Sequence, residues 1–417
     1  MKVLVIGGGG REHAIVHSIS KSPKVDKIYA APGNAGISEL AECLDIKDTN
    51  IDELVTFAYE HKIDLTIVGP EASLALGIVD AFEAHGLKIF GPNKAAARVE
   101  SSKDWAKAVM VKYGIPTAAY RTFADYDEAL KYLHKQGAPI VLKYDGLAAG
   151  KGVVVAETIA EAESALKDML LDAEFGEGSV VIEECLRGTE FSFMCMVDGH
   201  NVLPLPIAKD HKRAYDNDHG PNTGGMGAFS PVPLIPDKEV EWSFTNIMQR
   251  MADAMVAEGC PFSGLLYGGL MLTADGVKVI EFNARFGDPE TEVVLPRINS
   301  DLFSVMYEVA SHKLTSNELQ VSTEACVGVV LASDGYPKSY NKGFSIVLPR
   351  LKSNHIIYHM GTRKKGLDLL TNGGRVLMGE ALAPTLSEAR QAVYNDILPS
   401  IYCDHLFYRT DIAKDFW

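Results

Sequence analysis

The 417-residue chain lacks several features that would place it in a specialised class of protein. Its formal net charge is −15, so it has no basic excess for general nucleic-acid binding. No apolar run approaches the roughly 18 residues that span a membrane, and the apolar start ends in glycines rather than a cleavage site. Its six cysteines form no CxxC pair, which argues against a disulfide framework or zinc site. We therefore expect a cytoplasmic protein with reduced thiols and no nucleic-acid or membrane partner.

Two familiar nucleotide-binding motifs are incomplete. The turn GGGGREH, residues 7–13, has Glu12 and His13 where the pattern G-x-G-x-x-G requires its last glycine, so NAD binding is not expected. The segment KYDGLAAGKGVVV, residues 143–155, lacks the spacing of a P-loop, and Gly152 stands where Ser or Thr would hold Mg²⁺. Strands are expected on both sides of this segment, whereas a P-loop leads into a helix. Both segments therefore need another interpretation.

Both glycine-rich segments offer backbone N–H groups to an anion. The helix expected after Gly9 and Gly10 begins near Arg11, which fits a phosphate of a small substrate; a simple tight turn explains the glycines equally well. The second segment, with Lys143 at the end of its first strand, is interpreted as a flap over phosphates, because glycine lets N–H groups approach closely. A solvated hairpin turn is the alternative.

The first hundred residues alternate short apolar strands with helices. Strands are predicted at residues 2–6, 28–30, 65–68 and 87–90, and helices at residues 51–61 and 74–84. Strands that are apolar on both faces and alternate with helices indicate a parallel doubly wound sheet. Such sheets bind ligands at the carboxyl ends of their strands, where the turns Gly69-Pro70 and Gly91-Pro92 follow.

The most informative segment is VIEFNARFGDPETEVVLP, residues 279–296. A strand predicted at residues 277–282 delivers Glu281, Asn283 and Arg285 at alternate positions, so the three side chains are expected on one face. A carboxylate and a carboxamide suit Mg²⁺, which completes its shell with waters and phosphates. An arginine beside the metal would neutralise charge on a phosphoryl group in transfer. A surface strand end with scattered polar groups is the alternative.

Three further regions complete the chain. After a strand predicted at residues 180–184, a short link brings Glu183 and Glu190 together; such a link can bind adenine through its backbone and ribose through a carboxylate. Residues 210–231 are polar, glycine-rich and without an obvious element, which is typical of an ordered substrate-binding loop or a disordered linker. From about residue 325, short strands, a glycine turn and a helix predict a small α+β domain without strong chemistry of its own.

Five collinear motifs, GGGGREHA, PGNAG, KYDGLAAGKGV, GPNTGGMGAFSP and EFNARFGDPE, resemble those of the glycinamide ribonucleotide synthetase (phosphoribosylamine–glycine ligase) family of ATP-grasp enzymes. The resemblance covers essentially the whole chain. It implies a substrate-binding α/β domain at residues 1–101, an ATP-grasp region at 102–324 with a small flap subdomain at about 118–188, and a C-terminal α+β domain at 325–417. One departure is Asn217, where the family commonly has glycine; asparagine tolerates the left-handed backbone conformation.

The resemblance also implies the reaction. ATP would activate the carboxylate of glycine as glycyl phosphate, and the amine of 5-phosphoribosylamine would attack it, forming glycinamide ribonucleotide in purine synthesis. ATP and Mg²⁺ (or Mn²⁺) are the expected cofactors, and transient contact with neighbouring enzymes of the pathway is expected. A ligase for another carboxylate and amine, or a nucleotide sensor without catalysis, would be the rival interpretations.

Residue roles follow from the same resemblance. Glu281 and Asn283 would hold the metal, and Arg285, Lys143 and Asp216 would assist the chemistry. The residues expected to bind ATP are Lys103, Lys143, Gly146, Gly150, Lys151, Gly152, Glu183, Glu184, Leu186 and Glu190. The residues expected to bind the other substrates are Gly9, Gly10, Arg11, Pro32, Gly33, Asn34, Asn222, Thr223, Gly224, Arg285 and Asp288.

Overall fold

The computed structural model of the chain describes residues 1–147, 152–172, 176 and 178–416. Its sheets include a parallel sheet near the N-terminus and several antiparallel sheets after it. The expected α/β and α+β organisation is therefore confirmed. Within the described ranges, every helix is too short or too polar to cross a membrane.

The N-terminal region is a five-stranded parallel sheet with the order β3-β2-β1-β4-β5. Its strands are β1 (Lys2–Gly7), β2 (Lys27–Pro32), β3 (Glu42–Cys43), β4 (Leu65–Val68) and β5 (Ile89–Phe90). Its helices are α1 (Gly10–Ile19), α2 (Ile51–Glu60), α3 (Glu71–Leu76), α4 (Ile78–Ala84) and α5 (Lys94–Ser101). The single helix predicted at residues 74–84 is wrong, because Gly77 adopts φ 91° and separates α3 from α4. The strand order reverses between β1 and β4, which places a ligand-binding crevice at their carboxyl ends.

Helix α6 (Lys103–Lys112) is followed by a small region built on a four-stranded antiparallel sheet, and we call this region the flap. The flap contains β6 (Tyr120–Phe123), α7 (Tyr126–Gln136), β7 (Ile140–Tyr144), β8 (Val153–Ala156), α8 (Ile159–Leu170) and β9 (Val180–Glu184), with the strand order β6-β9-β7-β8. Ser102, Asp125 and Thr158 cap the three helices with their side chains, which explains where each helix begins. The flap has its own hydrophobic core, separate from the clusters that join the other regions.

The central region is built on an antiparallel sheet with the order β11-β10-β16-β17. Its elements are β10 (Thr189–Asp198), β11 (Asn201–Pro204), β12 (Lys209–Asp210), β13 (Arg213–Tyr215), β14 (His219–Asn222), β15 (Gly227–Ser230), α9 (Asp237–Ser243), α10 (Arg250–Ala257), β16 (Ser263–Thr273), β17 (Gly276–Asn283), α11 (Glu290–Val294) and α12 (Leu302–Ala310). A π-helical segment, Phe244–Gln249, joins α9 to α10. The register between β16 and β17 shifts after Gly269, which pairs with Glu281, whereas Leu270 pairs with Val279. Ile280 is therefore a bulge residue outside the regular ladder.

The C-terminal region adds β18 (Ala325–Ser333), β19 (Ser345–Ile346), β20 (His355–His359), β21 (Thr362–Lys365), β22 (Asp368–Thr371), β23 (Arg375–Ala383), α13 (Leu386–Ala392) and β24 (Leu406–Phe407). Its main sheet has the order β12-β15-β18-β23-β20, and β24 pairs with β18. The polar segment 210–231 thus contains short strands, and the expectation that it lacks elements is wrong. Of these strands, β15 pairs with β18, far away in sequence, and β12 pairs with β15, whereas β13 and β14 form a local hairpin. Asn217 has φ 58°, as its tolerance for left-handed conformations predicts.

Candidate active site

Side chains from all of these regions converge around the end of β17. Arg285, just beyond this strand, forms ion pairs with Glu100 (2.9 Å) and Glu71 (3.4 Å) of the N-terminal region. Lys143 of the flap donates to the carbonyl of Ile280 at 2.9 Å. Lys212 lies between β12 and β13, and its positive charge lowers the pKa of Glu281. The chemistry is therefore assembled between domains rather than within one.

Glu281 is an ionised carboxylate surrounded by cations. Burial alone would raise its pKa, but Lys143, Lys212 and Lys103 together hold that pKa below the usual value. No protein hydrogen bond to its carboxylate is found among the described residues, so its oxygens remain open to a ligand. A carboxylate held negative within a positive environment suits a metal ion that is itself bound to phosphates.

Asn283 and Arg285 are adjacent, but not for the reason that the strand alternation suggested. β17 ends at Asn283, and the following turn brings Arg285 back so that its Nη2 donates to Asn283 Oδ1 at 3.3 Å. Burial lowers the pKa of Arg285, whereas the carboxylates of Glu100 and Glu71 raise it. The net effect is a raised pKa. The expectation of one strand face carrying all three side chains is therefore wrong for Arg285, although the three groups do share one location.

The oxygen donors fit magnesium better than a metal that needs a complete protein cage. In the ranges that the structure describes, no group of three or more His, Cys, Asp or Glu side chains is arranged to hold a metal. Glu281 and Asn283 supply one carboxylate and one carboxamide oxygen. Mg²⁺ is commonly bound by such a small set of protein ligands, with phosphates and waters in its other positions.

Lys143 of the flap and Lys103 of α6 have defined partners. The Lys143 ammonium contacts Glu183 Oε2 at 3.2 Å in addition to the Ile280 carbonyl. Lys103 Nζ donates to the carbonyl of Gly146 at 2.9 Å, next to the glycine-rich hairpin. Gly152 lies at the start of β8 and accepts a hydrogen bond from the Tyr144 N–H. Gly150 and Lys151, both expected to bind ATP, lie outside the described residues.

Glu183, which was expected to bind ATP, is a buried residue. It is 3% exposed, and its Oε2 accepts from Lys107 (2.8 Å) and Lys143. Its Oε1 is buried without a hydrogen-bond partner in the described part of the chain. Of the other residues expected at this end, Glu184 binds the Ala119 N–H, Leu186 lies in the following link, and Glu190 pairs with Lys212 at 3.2 Å. Lys212 lowers the pKa of Glu190.

The glycine turn is fixed by side chains on both sides. Gly9 is the N-cap of α1, and its N–H donates to Glu12 Oε2 at 2.6 Å. Arg11 donates to Glu12 Oε1 (2.5 Å) and to the Phe286 carbonyl (3.2 Å), which connects the turn to the end of β17. Asn34 donates to the carbonyls of Gly8 (2.9 Å) and His359 (2.7 Å). Pro32 and Gly33 lie beside Gly7, so all of these expected substrate residues meet at the crevice.

Carboxylates approach the same turn. Asp288 pairs with Arg375 of β23 at 2.9 Å, and a Cβ on Gly9 would lie 3.4 Å from Asp288 Oδ2. Glu292 is fully buried, and a Cβ on Gly10 would lie 2.4 Å from its Oε1. Burial and Asp288 raise the pKa of Glu292 well above its usual range. The crevice beside the glycine turn can therefore accept hydrogen bonds from a ligand as well as attract an anion.

The segment from Asn222 to Gly224 contacts this end, whereas Asp216 does not. Thr223 donates from Oγ1 to the Lys212 carbonyl at 2.9 Å, and Gly224 accepts from Arg375 at 2.7 Å. Asn222 pairs with Arg213 across the β13–β14 hairpin. Asp216 accepts from the N–H of Thr410 at 2.8 Å and from its hydroxyl, so its described contacts are with the C-terminal segment.

Several functional candidates were not selected from sequence. They are Glu71, Glu100, Lys107, Lys212 and Arg375. Glu71 carried a usable signal, because it directly follows the Gly69-Pro70 turn at the carboxyl end of β4. Lys107 and Arg375 carried none, since their partners Glu183 and Asp288 are distant in sequence.

Comparison with known protein families agrees with this arrangement along nearly the whole chain. Residues 1–100 match the N domain of phosphoribosylglycinamide synthetase, residues 101–291 its ATP-grasp (A) domain, and residues 326–415 its C domain. The chain is 52% identical over 417 residues to a phosphoribosylamine–glycine ligase of Halalkalibacterium halodurans, covering 99% of this chain and 97% of that protein. It is 48% identical over 420 residues to one of Streptococcus pneumoniae, covering 99% of each.

Solved structures give the same result. The crystal structure of phosphoribosylamine–glycine ligase from Thermotoga maritima is similar with a TM-score of 0.86 and 33% identity, covering 99% of this chain and 100% of that one. A biotin carboxylase–β,γ-ATP complex from Campylobacter jejuni, at 17% identity and a TM-score of 0.75 over 100% of this chain and 93% of that one, shares the fold. The chain therefore belongs to the phosphoribosylglycinamide synthetase family of ATP-grasp carbon–nitrogen ligases.

Proposed function

We propose that this site joins glycine to the amine of 5-phosphoribosylamine at the expense of ATP, through glycyl phosphate. The family supplies the class of reaction. The observation that carries the proposal for this site is the ionised Glu281 among Lys103, Lys143 and Lys212, two residues before Asn283 on β17. That environment attracts a metal-bound polyphosphate more strongly than it attracts a neutral ligand.

The two chemical steps balance without an enzyme nucleophile. A carboxylate oxygen of glycine attacks the γ-phosphorus of ATP, and the bond to the β,γ-bridging oxygen breaks, so that ADP leaves with the electron pair. The amine nitrogen of 5-phosphoribosylamine then attacks the carbonyl carbon of glycyl phosphate. Phosphate leaves with the C–O electron pair, and the nitrogen loses a proton as the amide forms. Bound Mg²⁺ would neutralise phosphate charge during the first step.

The residues around Glu281 have the chemistry for the phosphoryl end of this reaction. Glu281 and Asn283 would hold the metal. Lys143 uses one of its three N–H donors on Ile280 and one on Glu183, so a third remains for a phosphate oxygen. Arg285 would steady the transferred phosphoryl group, with its orientation fixed by Glu100.

The crevice beside the glycine turn would bind the amine substrate. Arg11 and the N-terminus of α1 attract its phosphate, while nearby carboxylates accept hydrogen bonds from its hydroxyl groups. Residues 222–224 and Asp288 would orient glycine. Asp216 would act through the loop that it ties to Thr410. We keep the proposed division into residues 1–101, 102–324 and 325–417 with these roles.

We also place this reaction in the cytoplasm. All six cysteines are free thiols, which such a reducing compartment preserves. Transient contact with enzymes that supply or consume its ribonucleotide substrates remains part of the proposal.

Glycine- and 5-phosphoribosylamine-dependent release of ADP tests the function. Glu281→Gln should lower kcat/KM by about 10²–10³-fold, because the metal loses its charged ligand. Glu258→Gln is the matched control, since Glu258 pairs with Lys112 away from the site. Near-normal turnover of Glu281→Gln would contradict the metal assignment, and ADP release with another carboxylate in place of glycine would contradict the substrate assignment.

A further inference from the structure

We infer that Lys107 is a positioning residue for ATP binding: it neutralises Glu183 and thereby leaves the Lys143 ammonium available to the triphosphate. The inference rests on the proposed function of Lys143. It concerns a buried side chain of α6 that makes no contact with Glu281 in the described structure and that no motif marks.

The geometry forms a continuous hydrogen-bonded chain. Lys107 is 2% exposed, and its ammonium donates to Thr117 Oγ1 and to Glu183 Oε2, both at 2.8 Å. Thr117 in turn donates to the carbonyl of Val279 at 2.8 Å. On the other side of Glu183, Lys143 reaches the carbonyl of Ile280. This series of hydrogen bonds therefore begins at Val279 and ends at Ile280, the two residues that precede Glu281.

The bulge in β17 makes this arrangement possible. Ile280 is outside the regular β16–β17 ladder, so its carbonyl can accept from Lys143. Val279 forms a bridge to Thr117, and its N–H donates to the Pro116 carbonyl at 2.8 Å. The buried lysines thus connect the flap and α6 to the strand that carries the metal ligand.

Charge decides what each lysine can do. Glu183 carries one negative charge and faces two ammonium groups, so the buried trio has a net charge of +1. Without Lys107, Lys143 becomes the sole counter-ion of Glu183, whose Oε1 also lacks a partner. The third donor of Lys143 would then turn towards that oxygen instead of a phosphate. Burial strengthens this competition, because charges interact strongly where water is excluded.

Lys107 keeps its charge in spite of burial. Burial and the neighbouring Lys143 lower its pKa while Glu183 raises it, and the net value is about 8. At pH 7 the ammonium form therefore predominates. A neutral amine at this position could still donate to Glu183, but it could not offset the carboxylate charge.

The first experiment compares Lys107→Met with Lys112→Met. Lys112 lies on the same helix, is exposed and pairs with Glu258. Affinities for Mg-ATP and for magnesium tripolyphosphate are measured by calorimetry at pH 7, and Tm is recorded in parallel. Lys107→Met should bind both ligands about 10-fold more weakly, whereas Lys112→Met should bind like the parent chain. Tripolyphosphate has no adenine, so a shared loss is assigned to phosphate binding.

Variants of Glu183 separate positioning from a purely structural ion pair. Glu183→Gln alone should bind tripolyphosphate at least as tightly as the parent, because Lys143 loses its competitor. Adding Glu183→Gln to Lys107→Met should recover most of the affinity for tripolyphosphate that Lys107→Met loses. The expected recovery is in binding, whether or not Tm recovers. Because Glu183→Gln retains Lys107, it also tests the inference if Lys107→Met does not fold.

Two outcomes would overturn the inference. One is parental tripolyphosphate affinity in Lys107→Met, and the other is weakened affinity in Glu183→Gln. The proposed function fails differently: the parent chain itself would not bind Mg-ATP, or would not release ADP when both substrates are present.

Discussion

The nucleotide end and the turn end of the site carry positive charge in different ways. At the nucleotide end, defined by Lys103, Lys143 and Lys212 around Glu281, the cations are lysines and the carboxylate is held ionised by them. Lysine is a compact charge with three donors, and Lys143 uses two of them on the residues that the structure describes. This end therefore has positive charge to offer to a polyanion.

At the turn end, defined by the glycine turn and the segments that contact it, the cations are arginines with carboxylate partners. Each arginine has a close partner: Arg11 pairs with Glu12, Arg375 with Asp288, and Arg285, which borders the nucleotide end through Asn283, with Glu100. The planar guanidinium fixes geometry better than a lysine does. Here the charges are largely compensated, and they hold domains and hydrogen-bonding groups in place.

The difference shows that one site can separate attraction from orientation. Lysines that share a carboxylate partner, as Lys143 and Lys107 share Glu183, leave positive charge for a triphosphate, while paired arginines present a rigid surface to small polar substrates. Breaking an arginine pair should therefore affect stability or substrate affinity, and the largest effect is expected for Arg285, which pairs closely with two carboxylates.

The largest effect is expected for Arg285→Met. The variant leaves Glu100 buried without its cation, and unpaired buried charges cost about 3–5 kcal/mol. The free energy of unfolding in urea measures this loss, with Arg250→Met as the control, since Arg250 donates from the surface to Gly114. Adding Glu100→Gln should recover part of the loss. Equal stabilities for Arg285→Met and its control would show that the turn end is not held by its ion pairs.

A smaller and more selective effect is expected for Arg11→Ala. Loss of a charged hydrogen-bond donor costs about 1.5–3 kcal/mol, which is roughly a 10- to 100-fold rise in KM for the phosphorylated amine. KM for ATP should change little, because Arg11 contacts Glu12 and Phe286 rather than the flap. Steady-state kinetics with each substrate varied in turn measures the split. A rise confined to KM for ATP would reverse the assignment of the two ends.

The sequence predicted the fold where the pattern is local. Strands β4 and β9 have the predicted bounds because short apolar or β-branched runs end at turn residues. Gly77 was not predicted to break a helix, because a glycine inside a helical pattern is often tolerated. Strand β15 depends on β18, about a hundred residues away, and β12 depends on β15, so no local pattern predicts these two strands.

The site shows the same division between local and long-range information. Glu281 and Asn283 follow from strand alternation, and the structure keeps them together. Arg285 reaches Asn283 through a turn, and Lys107 reaches Glu183 only through folding of the flap onto α6. Sequence can therefore propose the groups that touch a ligand more readily than the buried groups that orient them.

The smallest expected effect is on the pH dependence of stability, where the turn end contacts the C-terminal region. His13 of α1 accepts the His359 N–H through Nδ1 at 2.9 Å, which requires an unprotonated nitrogen. Burial, with His359 and His17 nearby, lowers the pKa of His13 from 6.5 to about 3. The unfolded chain takes up this proton as pH falls below 6.5, whereas the folded chain does not. The stabilisation is therefore present above pH 6.5 and is lost as pH falls towards 3.

The variant His13→Gln isolates this contribution, because its amide oxygen can accept the same hydrogen bond without titrating. Between pH 7 and pH 5, the free energy of unfolding of the parent should fall by about 1–2 kcal/mol more than that of His13→Gln. The exposed His85→Gln serves as the control and should follow the parent. Parallel pH profiles for all three chains would mean that the turn end is not seated on the C-terminal region through a neutral histidine.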